Sequence, residues 1–225
     1  SGMIPDIEIA NLLTAKPDYL FRCFKNDWKK LLGFVKELNF RYQTIPELPG
    51  NIELLSNLEI LSLSHCTLNS LPKGIGLLTN LKHLVLNYNA LVAIPDEVKC
   101  LDQLIELSLV GNQLTKIPAC ILELRSLEIL SLIDNQISVL PKGLVHLDKL
   151  KKVILRNNTL TELPMELCML ENLEILDLAE NNISRLPNAL TYLKKLQILY
   201  LNRNPLSKSE KLKVGNLLPD TVIYF

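Results

Sequence analysis

Three histidines and five cysteines are the residues of this chain whose types most often build nucleophilic and metal sites. The histidines are His65, His83 and His146, and the cysteines are Cys23, Cys66, Cys100, Cys120 and Cys168. No two cysteines have the CxxC spacing of a zinc or redox centre. Cys66 follows His65, but neighbouring strand residues point to opposite faces, so we expect the two side chains to diverge. With no phosphate loop or nucleophile elbow either, the sequence predicts no catalytic residue, cofactor or metal, and hence no enzyme.

Charge and hydropathy exclude two further classes of function. The 24 Lys and Arg residues balance 24 Asp and Glu residues, and no basic run is present, so nucleic acid is not an expected partner. No apolar stretch approaches the roughly 18 residues of a membrane span. Cysteines without paired spacing are typical of buried or half-buried thiols in a reducing compartment, which favours a cytoplasmic location.

The elements that would position any site come from an internal repeat. The phrase "LEILSLIDNQISVLP" at residues 127–141 returns as "LEILDLAENNISRLP" at residues 173–187. Further copies follow at a fixed spacing of 23 residues without insertion. The eight copies begin at Val35, Leu58, Leu81, Leu104, Leu127, Leu150, Leu173 and Leu196.

Each copy predicts a strand followed by a turn. Apolar and polar residues alternate in its first half, as in a strand with one buried face, and apolar residues recur every third position in its second half, as in one helical or 3₁₀ turn. A Pro begins that half in seven copies. Asn recurs at the ninth position, where its amide can satisfy backbone groups of the turn: Asn89, Asn112, Asn135, Asn158, Asn181 and Asn204. Gln43 and Cys66 replace it in the first two copies, which we expect to be less rigid.

These phased leucines, asparagines and Leu-Pro pairs resemble the leucine-rich repeat family over about four-fifths of the chain. The 23-residue unit is similar to intracellular Ras-group and polarity scaffolds and to bacterial leucine-rich repeat effectors. The resemblance implies an α/β solenoid, a horseshoe with a parallel sheet on its concave face and short helical or 3₁₀ turns on its convex face. It also implies a module that binds other proteins.

A stacked array needs a cover at each end. We predict a helical N-terminal cap at residues 3–34, eight repeats at residues 35–206 and a C-terminal cap at residues 207–225. Ser209 is the expected N-cap of the last helix, whose apolar side would carry Leu212, Leu217 and Leu218. Residues 222–225 are expected to form a closing strand.

The outward strand positions three, five and seven distinguish one repeat from the next, because positions four and six fill the core. In the C-terminal half these positions are unusually apolar for a solvent face, and a contiguous apolar patch marks a partner site more often than single residues do. The predicted partner-binding residues are Val110, Ile129, Ile133, Ile154, Arg156, Ile175, Asp177, Ile198 and Tyr200.

The sequence thus favours a monomeric, non-enzymatic module that holds a helix or loop of a protein partner on its concave face. Two alternatives stay open. One is the targeting part of a secreted bacterial effector, which would work in the host cytosol, and the other is a structural or self-associating scaffold.

Overall fold

A computed structural model describes residues 33–42, 44, 45, 48 and 51–225 of the chain. Nine short parallel strands form one open sheet in which the order along the sheet equals the order in the sequence. The strands are β1 (Glu37–Asn39), β2 (Ile60–Ser62), β3 (His83–Val85), β4 (Glu106–Ser108), β5 (Ile129–Ser131), β6 (Lys152–Ile154), β7 (Ile175–Asp177), β8 (Ile198–Tyr200) and β9 (Val222–Tyr224). The predicted solenoid, with the sheet on its concave face, is confirmed.

The turns opposite the sheet are 3₁₀ helices rather than α-helices. They are η1 (Ile52–Leu54), η2 (Lys73–Leu77), η3 (Asp96–Cys100), η4 (Ala119–Glu123), η5 (Lys142–His146), η6 (Met165–Met169) and η7 (Asn188–Tyr192). From η2 onward a Pro caps each turn and its carbonyl accepts the first turn hydrogen bond, as Pro141 does from the Leu144 amide. The fixed φ of Pro therefore begins each turn where the sequence predicts it.

The core lies between the sheet and these turns. The middle residue of every strand from β1 to β8 has no exposed surface, as Leu38, Leu130 and Leu199 illustrate. Leucines from successive repeats stack on one another, so a single continuous core runs the length of the described array. Truncating one of these leucines to Ala removes buried side-chain atoms and leaves a cavity. Such a change lowers the free energy of unfolding by about 2–5 kcal/mol.

The predicted asparagine column is a buried hydrogen-bond ladder. Asn135 donates from Nδ2 to the carbonyl of Leu109 at 2.9 Å and to that of Leu132 at 3.1 Å. Its Oδ1 accepts from the Leu114 amide at 3.0 Å. Each asparagine thus ties its own turn to the preceding repeat and satisfies backbone groups that the turn leaves without a ladder partner.

The ladder changes where Cys66 replaces Asn. The Cys66 thiol is buried and donates to the Phe40 carbonyl at 3.0 Å, while Asn89 of the next repeat accepts from the amides of both Cys66 and Leu68. Thr67 takes a left-handed φ of 60° in this turn. A thiol offers one weak donor in place of the two amide protons of Asn and only a weak acceptor in place of its carbonyl, so the hydrogen bonds of this turn differ from those of the later repeats.

The C-terminal segment forms a helix and the strand β9, and the predicted N-cap of the helix is corrected. Helix α1 (Lys208–Leu217) is capped by Ser207, whose hydroxyl accepts from the Glu210 amide, and not by Ser209. The prediction of Ser209 was wrong because the capping pattern needs an acceptor three residues before Glu210. Leu212 is 70% exposed, and Val214 is buried in its place.

The predicted N-terminal cap at residues 3–34 lies outside the described residues except for Gly33 and Phe34, which form a turn. Among the described residues, no helix has the length and apolar character needed to cross a membrane.

Candidate functional site

The predicted binding residues meet on the concave face of β5 to β8. In register, Ile129 pairs with Lys152, Lys152 with Ile175, and Ile175 with Ile198, so these four side chains form a first row across the sheet. The three isoleucines are half-buried, which leaves part of each side chain accessible. Lys152 separates Ile129 from Ile175, so the continuous apolar part of this row is Ile175 and Ile198, whose β-branched side chains lie about 4.8 Å apart.

A second row runs parallel to the first. Ile154 pairs with Asp177, and Asp177 pairs with Tyr200, so a carboxylate lies between an aliphatic and an aromatic side chain. All three are half-buried. The sheet therefore brings together six of the nine predicted residues in these two rows.

The strand β9 extends both rows beyond the predicted set. Val222 lies in register with Ile198 and Tyr224 with Tyr200, and both side chains are about half exposed. The rings of Tyr200 and Tyr224 stack with centroids 4.8 Å apart and an interplanar angle of 9°. Sequence reasoning recognised this strand but not its register, because β9 follows β8 by 24 residues rather than 23. We call the apolar residues of both rows, with Ile133, the C-terminal patch: Ile129, Ile133, Ile154, Ile175, Ile198, Tyr200, Val222 and Tyr224.

Contrary to the prediction, the side chains at position seven do not face solvent in every repeat. Val110 is only 9% exposed, and Ser64 and Ala179 are buried more deeply. Each of these short side chains lies between longer ones at the same position of the neighbouring repeats, such as Asn87 and Ile133 on either side of Val110. Val110 consequently offers little surface to a partner, whereas Ile133 remains partly accessible and Arg156 is exposed.

Arg156 belongs to a charged cluster at the rim of the sheet. Its Nε donates to Glu180 Oε1 at 3.0 Å, and Arg203 approaches the same carboxylate oxygen at 3.2 Å. Hydrogen bonding from Arg156 holds the pKa of Glu180 below its usual range. This shared carboxylate fixes the orientation of the Arg156 guanidinium beside the C-terminal patch.

Asp177 has a different electrostatic environment. One carboxylate oxygen accepts from the Ala179 amide at 3.0 Å, and burial among the strand residues raises the pKa of the group above its ordinary value. Removing a carboxylate from water disfavours its charged form unless a cation or further donors compensate. A perturbed acid within an apolar surface is a common feature of functional sites.

The sequence did not predict the conformation of a second column of residues, which lies at position eight of each repeat. Its members all adopt a left-handed backbone with φ between 52° and 64°: Tyr42, His65, Tyr88, Gly111, Asp134, Asn157, Glu180 and Arg203. Residue types such as Tyr, Glu and Arg give no hint of this conformation. The available signal was their place directly before the asparagine column, where the chain must leave the strand.

The first three members of this column form an aromatic stack. His65 lies between Tyr42 and Tyr88 with ring centroids 4.7 Å and 4.5 Å away. The left-handed backbone of His65, with a φ of 58°, places its ring in this stack. As expected, His65 and Cys66 diverge, since the Cys66 thiol is turned into the core.

The remaining candidates for chemistry do not converge in the described part of the chain. His83 lies on the concave face with Nδ1 3.0 Å from Glu106 Oε2, and His146 ends η5 on the opposite side. Burial raises the pKa values of the Cys120 and Cys168 thiols to about 11, whereas Cys100 is exposed, contrary to the expectation of buried or half-buried cysteines. Among the described residues, no group of three or more His, Cys, Asp or Glu side chains could hold a metal ion.

A shallow depression of about 260 Å³ lies at the N-terminal end of the sheet, near Phe34 and Asn57. Glu59 at its wall is held by Lys36 at 2.8 Å and Lys82 at 2.7 Å, and these hydrogen bonds lower its pKa to about 2. A carboxylate with so low a pKa is a poor general base at neutral pH. The depression therefore lacks the reactive groups of an active site among its described residues.

Comparison with solved structures finds the same fold in bacteria and plants. A leucine-rich repeat protein of Leptospira interrogans shares 34% sequence identity, with a TM-score of 0.72 over 88% of this chain and 57% of that chain. The plant peptide hormone receptor RGFR1, solved in complex with RGF2, shares 28% identity with a TM-score of 0.72 over 88% of this chain and 33% of that one. Internalin C2 of Listeria monocytogenes is 23% identical, with a TM-score of 0.72 over 88% and 82% of the two chains, which shows the fold alone.

The chain thus spans little more than half of the Leptospira protein and a third of the plant receptor. A search of curated protein sequences gave no significant match. A family model described as leucine rich repeat matches residues 56–114 and 148–206, together more than half of the chain. With the stacked strands, the buried asparagine ladder and this match in agreement, the chain belongs to the leucine-rich repeat family.

Proposed function

We propose that the chain is a non-enzymatic recognition module whose C-terminal patch binds a helix or loop of a protein partner. The observation that carries this proposal is the register of β5 to β9, which brings half-buried isoleucines and two stacked tyrosines onto one accessible, largely apolar surface that also holds Lys152 and Asp177. Soluble proteins seldom leave a contiguous apolar surface without a partner. Tyr and Arg are also among the residue types that most often anchor protein interfaces, and the patch has two tyrosines with Arg156 beside it.

The family supports the general character of this role. Leucine-rich repeats commonly mediate protein interactions, and two of the similar structures are complexes: RGFR1 with RGF2, and the ectodomain of the Arabidopsis thaliana receptor kinase GASSHO1/SCHENGEN3 with Casparian strip integrity factor 2. The latter shares 26% identity, with a TM-score of 0.61 over 84% of this chain and 26% of that chain. Full burial of each isoleucine of the patch would contribute about 1.5–3 kcal/mol before ordering costs.

The test is affinity capture from cell lysate with the wild-type chain and an Ile154→Glu/Tyr200→Glu variant. Charges at these two positions place carboxylates in the second row, so a partner held by the patch is expected to be lost. Leu77→Glu is the matched control, because Leu77 is 61% exposed on η2, on the opposite side of the array.

Circular dichroism and thermal melting must first show that both variants are folded. A protein retained by the wild type and by Leu77→Glu, but not by the double variant, supports the patch as the binding site. Equal capture by all three chains contradicts the proposal. Light scattering over a concentration series separates a monomer, which we propose, from a self-associating scaffold, whose mass would rise with concentration.

We also propose a cytoplasmic location, supported by the unpaired thiols of Cys120 and Cys168 in the core. Such thiols are typical of reducing compartments. Cell fractionation of the native protein tests this location. Recovery from the culture medium or from a host cytosol would instead support the targeting part of a secreted effector.

A further inference from the structure

Asp177 is an acid placed inside the apolar rows of the C-terminal patch. Its neighbours in register are Ile154 on β6 and Tyr200 on β8. Among the described residues, only the Ala179 amide donates a hydrogen bond to its carboxylate. The carboxylate therefore keeps acceptor capacity that no other described residue uses in a hydrogen bond.

The ring of Tyr200 adds a second feature to this position. One face of the ring is covered by Tyr224, because the two rings stack almost parallel across β8 and β9. The opposite face is therefore turned toward β7, where Asp177 is the residue in register. A carboxylate beside a free aromatic face combines the two contacts that a planar cation makes best, an ion pair and stacking on a ring.

We propose that Asp177 and the free face of Tyr200 bind the guanidinium of an arginine side chain of the protein partner. The inference rests on the function proposed above and specifies the chemistry of the partner. Arginine fits better than lysine because its planar fork can hydrogen-bond the carboxylate and lie flat on the ring at once. The flanking isoleucines would accept apolar side chains on either side of that arginine.

No described cation forms a hydrogen bond with the Asp177 carboxylate, although the charge of Arg156 offsets part of the rise in its pKa that burial causes. Arg156 directs its guanidinium to Glu180 at the rim, and Lys152 lies in the first row beside Ile175. Their charges oppose long-range attraction of another cation, so recognition must come from direct contact with the carboxylate and the ring. Burial raises the pKa of Asp177, and a bound guanidinium would offset that cost by compensating the charged form.

The test is selection of peptides from a displayed library of random twelve-residue sequences against the folded wild-type chain and Asp177→Asn. Asn has nearly the same shape and can still accept from the Ala179 amide, but it carries no charge. Glu106→Gln is the matched control, since it removes a carboxylate from the same concave face at the His83 pair. We expect arginine to be enriched on the wild type and on Glu106→Gln, and not on Asp177→Asn.

Recovered peptides are then remade with citrulline, a neutral analogue, in place of arginine. Because a hydrogen bond to a charged group is involved, binding to the wild type is expected to weaken about 10-fold or more, and binding to Asp177→Asn by less than about 2-fold. Peptides that need Ile154 but show no such difference overturn this inference and leave the proposed function standing. If every selected peptide binds the Ile154→Glu variant as well as it binds the wild type, both proposals fail.

Discussion

The ring of Tyr88 lies directly over Gly111, so that a β-carbon at position 111 would come within 2.4 Å of Tyr88 Cδ1. Both residues belong to the left-handed column at position eight. Other members of this column, such as Glu180 and Arg203, carry full side chains at a similar φ. Glycine at 111 is therefore required by the approach of Tyr88 more than by the backbone conformation.

We predict that Gly111→Ala lowers the free energy of unfolding by about 1–3 kcal/mol, since the left-handed conformation disfavours Ala and the Tyr88 ring must move. Urea unfolding followed by circular dichroism measures this change. In a Tyr88→Ala background the same substitution is expected to cost less, because the ring is gone. An unchanged cost in that background would show that Tyr88 is not the cause.

Gly215→Ala is the opposite case within the same chain. Gly215 lies inside α1, and its added β-carbon would meet no atom within 4 Å. Since Ala is the better helix former, we predict a gain of about 0.5–1 kcal/mol in the free energy of unfolding. A loss of stability in the same urea titration would mean that the helix surface at Gly215, and not only the surface at Val214, is packed against another part of the chain.

The asparagine ladder gives a third prediction. Asn158 is 6% exposed and bonds through Nδ2 to the carbonyls of Leu132 and Leu155 and through Oδ1 to the Ile137 amide. Asn158→Ala leaves the buried Ile137 amide without its acceptor, whereas the two carbonyls keep a donor from Asn135 and Asn181, so we expect a loss of about 1–3 kcal/mol.

The neighbouring Asn157 is exposed, and among the described residues its side chain bonds only to Asp134. Asn157→Ala should therefore cost less than Asn158→Ala, about 1 kcal/mol, mostly because the left-handed backbone disfavours Ala. Similar losses in the free energy of unfolding for the two variants would show that the buried hydrogen bonds of Asn158 add no particular stability.

The sequence was sufficient for the scaffold because the same physical requirement recurs every 23 residues. The alternation around Leu176 predicted a strand with one buried face, and the buried amide of Asn181 follows from its position at the strand end. The surface was harder to predict, because its exposure depends on neighbours in space. Val110 is buried by the longer side chains of adjacent repeats, and Tyr224 joins the patch through a pairing that the repeat spacing does not specify.

Cysteine reactivity gives a fourth prediction. Cys100 is exposed at the end of η3, whereas Cys120 and Cys168 are buried and have pKa values raised to about 11 by that burial. Because the thiolate is the reactive form, iodoacetamide at pH 8 should modify Cys100 about 100-fold faster than either buried cysteine. Peptide mass mapping over time measures the rates. Guanidinium chloride should remove the difference, and comparable rates without denaturant would contradict the buried positions of Cys120 and Cys168.

The last prediction concerns two carboxylates whose pKa values shift in opposite directions. The pKa of Asp177 lies above its ordinary value of 3.8, so ionisation of this group costs the folded state stability at neutral pH, and the cost disappears below that value. We therefore expect Asp177→Asn to raise the free energy of unfolding at pH 7, with a gain that shrinks as the pH falls toward 3.

Glu180 provides the matched control. Its pKa is lowered by Arg156, so its stabilising contribution is present above the ordinary value of 4.5 and is lost as the pH falls through the lower value of the folded state. Glu180→Gln should therefore destabilise the chain at pH 7 and have less effect near pH 3. Urea titrations of the wild type and both variants at several pH values measure both trends. If Asp177→Asn instead lost stability at pH 7, the carboxylate would already be compensated within the folded chain, and the argument that it awaits a cation from a partner would lose its electrostatic support.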